Sequence, residues 1–128
     1  MERRDLERWI DAYERLWRTP GTDGLDDLFA GDATYSPGPY AETVHGFVSI
    51  ADFWEAERTS HEERFEFSSE IVAVEGSVGV ARIDVRYLEP AQDYIDLWIV
   101  ELDVEGLCTR FEEWPFWPER GRTGANHG

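Results

Sequence analysis

Lysine is missing altogether. All 12 basic residues are arginine, against 28 acidic ones, giving a formal net charge of −16 and a pI near 4.4. A surface this acidic repels phosphate backbones and anionic headgroups, so neither nucleic acid nor a membrane surface is expected as a partner. The arginine-only usage fits GC-rich coding as well as an acidic surface adapted to high salt. Cysteine occurs once, at Cys108, which leaves no intrachain disulfide framework and no cysteine-based zinc site. Its expected role is that of a small core residue. Three histidines (His45, His61 and His127) lie far apart without ligand spacing, so no metal is expected. No apolar run approaches the ~18 residues of a membrane span. There is no glycine-rich phosphate loop, serine-centred elbow or dinucleotide fingerprint, and no cofactor is expected. The first residues, MERRDLERW, are charged from the second position and do not read as a secretory signal, so a cytoplasmic protein is expected.

What the chain has in quantity is aromatic surface, 14% of residues with six tryptophans. That is enough for a substantial core or a roomy aromatic pocket. A length of 128 residues suits one domain. The expected boundaries are 1–118 for the domain and 119–128 for a disordered tail, GRTGANHG being rich in glycine and charge.

The most strongly patterned stretch is Asp93 to Trp117. Tyr94, Asp96, Trp98, Val100 and Leu102 alternate with Ile95, Leu97, Ile99 and Glu101, as expected of a strand with one set on each face. Both faces are largely apolar, which predicts a central strand covered on both sides. Asp103-Val104-Glu105-Gly106 is a hairpin turn, and Leu107 to Trp117 is the return strand. Asp96 is out of pattern, a carboxylate on a face that should be covered.

Upstream, Leu6, Ile10, Tyr13 and Trp17 recur at helical spacing from Glu2 to Arg18, and Thr19-Pro20-Gly21 stops the helix. A short second helix carries Leu25, Leu28 and Phe29. Ala33–Tyr35 and Thr43–His45 are short extended pieces around the Ser36-Pro37-Gly38-Pro39 loop. A third helix carries Ile50, Phe53 and Trp54 and fades into the polar run Arg58–Arg64. Long strands follow at Phe65–Val74 and Val78–Leu88. Helices segregated from an antiparallel meander predict an α+β domain. A curved antiparallel sheet with helices over its concave face forms a cone whose mouth can take a ligand.

Leu28-Phe29-Ala30-Gly31-Asp32-Ala33-Thr34 after an amphipathic helix, His45-Gly46 followed by Ile50, and Asp103-x-Glu105-Gly106 leading into Phe111-x-Glu113-Trp114 together resemble the nuclear transport factor 2-like superfamily. The likeness spans Leu6 to Trp117 and is nearest to the SnoaL-like group, which includes polyketide cyclases. It implies a cystatin-like cone and a homodimer through the sheet. This fold hosts isomerases, cyclases, dehydratases, epoxide hydrolases and non-catalytic binders. The ketosteroid isomerases within it place an oxyanion-holding tyrosine where Tyr13 stands. Their base would fall at Ser36 or Pro37 and their second acid near Trp98, which argues against that activity here. Limonene epoxide hydrolase uses an Arg-x-Asp pair matched by Arg82-Ile83-Asp84, but its second aspartate would fall near Phe116.

The strand Val78–Leu88 separates Gly79, Ala81, Ile83, Val85 and Tyr87 from Val78, Val80, Arg82, Asp84 and Arg86. Placing the polar set inward puts Arg82, Asp84 and Arg86 beside Asp96, Trp98 and Glu113. It leaves an apolar outer face that demands a second copy. The opposite placement gives a dry apolar cone and a charged outer sheet. On the first placement, Asp96 is the candidate acid or base, aided by Arg82 and Asp84, with Tyr13 or His45 as hydrogen-bond donor. The same charges would also suit a purely structural ion-pair ladder. Tyr35, Trp54, Trp98, Phe111, Glu113 and Trp114 are the candidate pocket residues, suited to a small hydrophobic molecule held by stacking, or simply to the core. Two functions stay open: a cofactor-independent acid–base enzyme acting on a hydrophobic substrate, and a non-catalytic ligand-binding or dimerisation module.

Overall fold

A computed structural model describes residues 1–57, 64–88 and 91–118. The expected polar run after the third helix falls mostly outside these residues, as do His61, the Glu89-Pro90 connection and the 119–128 tail.

Helix α1 (Arg3–Trp17) begins with a reciprocal cap: the Glu2 amide donates to Asp5 Oδ2 at 2.7 Å. Its apolar stripe buries Leu6, Trp9, Ile10 and Tyr13. Burial of such side chains contributes about 1.5–3 kcal/mol each. The expected second helix shrinks to a 3₁₀ turn at Leu25–Asp27, because Phe29 is taken into a strand. That strand, β1 (Phe29–Ser36), is longer than its three-residue sequence signal. It is followed by β2 (Val44–His45), α2 (Phe47–Glu57), β3 (Phe65–Glu75), β4 (Val78–Leu88), β5 (Ala91–Leu102) and β6 (Cys108–Phe116). No helix among the described residues is long and apolar enough to cross a membrane.

The six strands form one sheet in the order β2-β1-β6-β5-β4-β3. Strands β3 to β6 make the expected antiparallel meander, with Gly106 at φ +85° in the β5–β6 turn. The pairing of β1 parallel to β6 was not expected. It is nailed down at Leu28, whose carbonyl accepts both the Cys108 amide (2.7 Å) and the Trp9 indole N–H (3.0 Å). Register shifts interrupt β1, β3 and the β5–β6 pair. Such bulges bend a sheet, and the bent sheet wraps one face around α1 and α2. The result is an α+β curved, unclosed sheet with helices over its concave face.

Strand β5 is central but covered by this chain on one side only. Tyr94, Asp96, Trp98, Val100 and Leu102 are buried under the helices, whereas Ile95 is 37% exposed and Leu97 and Ile99 are half-buried.

Candidate functional site

The core stops short of the wide end of the cone and leaves a cavity of about 240 Å³. Its walls are aromatic: Tyr13 and Trp17 from α1, Tyr35 from β1, Phe53 and Trp54 from α2, Tyr87 and Tyr94 from β4 and β5, and Trp98 and Trp117. Three carboxyl groups interrupt them, Glu57, Asp96 and Glu113. No arginine or histidine lines it among the described residues.

Asp96 and Glu113 meet because of strand register. Trp98 pairs with Glu113 and Asp96 with Pro115 across the β5–β6 ladder, so the two acids are diagonal neighbours on the concave face. Asp96 is 1% exposed. Its Oδ2 accepts the Trp98 indole N–H at 2.9 Å, the Trp114 backbone amide also stabilises the carboxylate, and the enclosed Oδ1 has no partner at full hydrogen-bond geometry. The Glu113 carboxyl is also in hydrogen-bond reach of Asp96, and two carboxyls can bond to each other only with a proton between them. Burial pushes both acids above their ordinary carboxylate ranges. For Glu113 the charge of Asp96 adds to the effect, whereas bonds from Glu113, the Trp98 indole and the Trp114 backbone amide partly relieve Asp96. The indole and amide bonds favour the charge on Asp96, and the neighbouring carboxyls favour the proton on Glu113.

A line of donors feeds the pair. The Trp54 indole, which can only donate, reaches the Tyr13 oxygen at 3.3 Å. Tyr13 and Tyr35 hydroxyls lie 3.4 Å apart, and Tyr35 donates to Glu113 Oε2 at 2.5 Å. With the Tyr35 proton committed to Glu113, Tyr13 must donate to Tyr35. Burial raises the pKa of Tyr13, Tyr35 and Tyr94 above the ordinary phenol value, so all three stay protonated donors.

The structure corrects the face assigned to β4. Ala81, Ile83 and Val85 oppose Trp98, Asp96 and Tyr94 and point into the cone with them. Arg82 and Asp84 oppose Leu97 and Ile95 on the outer face, where they form a 3.5 Å ion pair with each side chain 48% exposed. Arg86 pairs there with Asp93. None of these charges reaches the Asp96 cluster. Polarity misled the assignment: Asp96 is polar on an otherwise apolar inner face, and the outer face carries the apolar Ile95, Leu97 and Ile99 among charges. Trp114 also lies outside, 37% exposed, its indole donating to Glu112. His45 is exposed on β2, away from the cavity. Phe111 is fully buried behind the wall, against Tyr13 and Tyr35, and does not line the space. Tyr13, Tyr35, Trp54, Trp98, Asp96 and Glu113 do line it.

Trp17, Phe53, Glu57, Tyr87, Tyr94 and Trp117 were not singled out from sequence as pocket residues. Tyr94 shares the parity of Asp96 and was legible in principle; Tyr87 follows only from the β4 face. Cys108 is buried, with burial pushing its thiol up to about 12, so it is no nucleophile at neutral pH. No cluster of potential metal ligands occurs among the described residues.

No family model and no curated protein matches the sequence. Solved structures do. A de novo designed protein with curved β-sheet superposes with a TM-score of 0.70 at 17% identity, covering 98% of this chain and 96% of that one. An NTF-2 like protein of unknown function from Burkholderia xenovorans LB400 gives 0.70 at 14% identity, covering 93% and 92%. An M. tuberculosis LEH-like epoxide hydrolase gives 0.65 at 15%, covering 88% and 83%. At these identities the likeness establishes the fold; a designed protein among the matches makes the point that the fold alone carries no activity.

Proposed function

We propose that this chain, which has the nuclear transport factor 2-like fold, is a cofactor-independent acid–base enzyme acting on a small, largely apolar molecule held in the aromatic cavity. One observation carries the reading: a carboxyl pair is buried at the cavity wall, among aromatic rings, with no described cation beside it. A structural carboxylate would have been paired with an arginine. Here Asp96 is the base, accepting a proton from the substrate. Glu113 is the acid, holding the pair's proton and oriented by Tyr35. The roles differ because Trp98 stabilises charge on Asp96, whereas Glu113 is surrounded by other carboxyls. The aromatic walls exclude water and orient the substrate by stacking.

Proton abstraction from 5-nitrobenzisoxazole, a general probe for a base in an apolar site, tests this. The rate should rise with pH, because only the ionised pair can accept a proton. Asp96→Asn should lower it about 100-fold or more. A rate unaffected by Asp96→Asn, or carboxyl resonances of Asp96 and Glu113 that both titrate in the ordinary range, would overturn the assignment.

The partly exposed outer stripe of Ile95, Leu97, Ile99, Trp114 and Phe116 supports a homodimer through the sheet.

A further inference from the structure

We propose that the molecule the cavity takes is an organic cation, a small amine with an apolar body, its ammonium docked at the Asp96–Glu113 carboxyls. The inference rests on the Asp96–Glu113 pair being the functional centre, and it names the class of ligand that centre accepts.

The first ground is charge. Among the described residues, the titratable groups facing the pair are Tyr13 from α1, Tyr35 from β1, Glu57 from α2, Tyr87 from β4 and Tyr94 from β5. All are phenols or a further acid. Arg18, at the end of α1, is bound to Glu14 and to the Phe65 carbonyl while its guanidinium stacks on the Phe65 ring at 4.1 Å. An anionic ligand would meet three carboxyls and, among the described residues, no counter-charge. A neutral one would leave the negative charge of the pair without a counter-charge. An ammonium supplies both the charge and the hydrogen bonds.

The second ground is the wall. Tyr13 and Trp98 rings lie 4.5 Å apart, Tyr13 and Trp54 5.1 Å, and Tyr94 and Trp117 4.4 Å, all lining the same space. Tryptophan and tyrosine faces around a carboxylate are the surroundings that recognise organic cations, through the ring quadrupole and the negative charge together. The third is the whole-molecule field. A net charge of −16 raises the local concentration of cations at the mouth and repels anions.

The sign of the pH effect follows from competition. Burial favours the protonated pair, and an ammonium competes with that proton, so binding should release protons and weaken as pH falls. Burial holds both acids above their ordinary values, 3.8 for Asp96 and 4.5 for Glu113, so the competition begins above that range. An alkylamine stays protonated throughout, its pKa being near the ~10.4 of lysine.

The test compares three probes of one shape by calorimetry at pH 8 and pH 5: 2-phenylethylammonium, 2-phenylethanol and phenylacetate. The ammonium should bind at least tenfold tighter than the alcohol at pH 8, with proton release read from the buffer dependence of the heat. The preference should shrink at pH 5, and phenylacetate should not bind. Asp96→Asn should abolish the preference for the ammonium while leaving alcohol binding intact, which shows that the cavity is still formed. Equal binding of alcohol and ammonium, a preference insensitive to pH, or no ammonium binding at millimolar concentration overturns the inference. If the preference is absent but the nitrobenzisoxazole rate still depends on Asp96, the cation inference alone fails and the acid–base centre stands. If both fail, the carboxyl pair is not the functional centre.

Discussion

At the scale of the residue, Asp96 and Glu113 are held at a cost to stability. A carboxyl whose pKa is raised by folding is neutral in both states at low pH. As pH rises past its ordinary value, the unfolded chain gains by ionising while the native pair keeps its proton, so stability falls until the folded pKa is passed. Glutamine at position 113 would imitate the protonated acid: its amide can donate to Asp96 and its oxygen can accept from Tyr35. Glu113→Gln should therefore melt like the parent at pH 4 and be more stable at pH 8. The expected gain is about 1.4 kcal/mol for each pKa unit by which the pair is shifted. Titration of the acidic surface is common to both proteins and cancels in the comparison. A variant less stable than the parent at pH 8 would contradict the proton-sharing arrangement.

At the scale of the element, the position of α1 over the sheet depends on Gly79 in β4. A Cβ there would lie 2.5 Å from Leu6 Cδ2, a separation real Cβ contacts do not show. Gly79→Ala should destabilise the protein by about 1–3 kcal/mol through overpacking, read from the urea midpoint. Trimming the neighbour, Leu6→Ala, should recover part of that loss in the double variant, since the two positions share one contact. Because α1 carries Tyr13 and Trp17 to the cavity, Gly79→Ala should also perturb ligand binding without touching the site. Strand β6 shows the opposite economy: one short segment supplies Phe111 to the core, Glu113 to the cavity and Trp114 to the outer face. Period-two alternation does this without further instruction.

At the scale of the whole molecule, one face of the sheet is covered by helices and the other is left with an apolar stripe in which Trp114 is 37% and Phe116 54% exposed. If two copies pair through this face, the solution mass at micromolar concentration should be about twice 14.8 kDa. Ile99→Arg, at the half-buried middle of the stripe, should give the monomer with an unchanged circular dichroism spectrum. A monomeric parent would remove the dimer from the account. Arg82, Asp84 and Arg86, which the sequence pattern suggested for the interior, then border this surface, where they would set the register of the partner.

The alternation of β3 to β6, the amphipathic α1, the turn glycine Gly106 and the out-of-place Asp96 are all local patterns, which is why the α+β cone and its central carboxylate were legible in the sequence. Period two and period 3.6 say which residues share a face of one element. They do not say which faces of two neighbouring strands coincide, and that depends on register and hydrogen bonding between segments distant in sequence. The parallel β1–β6 pairing, the inward turn of Ile83 rather than Arg82, and the removal of the arginines from the side of Asp96 and Glu113 were therefore decided only in the tertiary structure. What the sequence determined by itself was a curved sheet under helices with acids in its lining. Folding decided that these acids would face a wall of rings, with no described cation beside them.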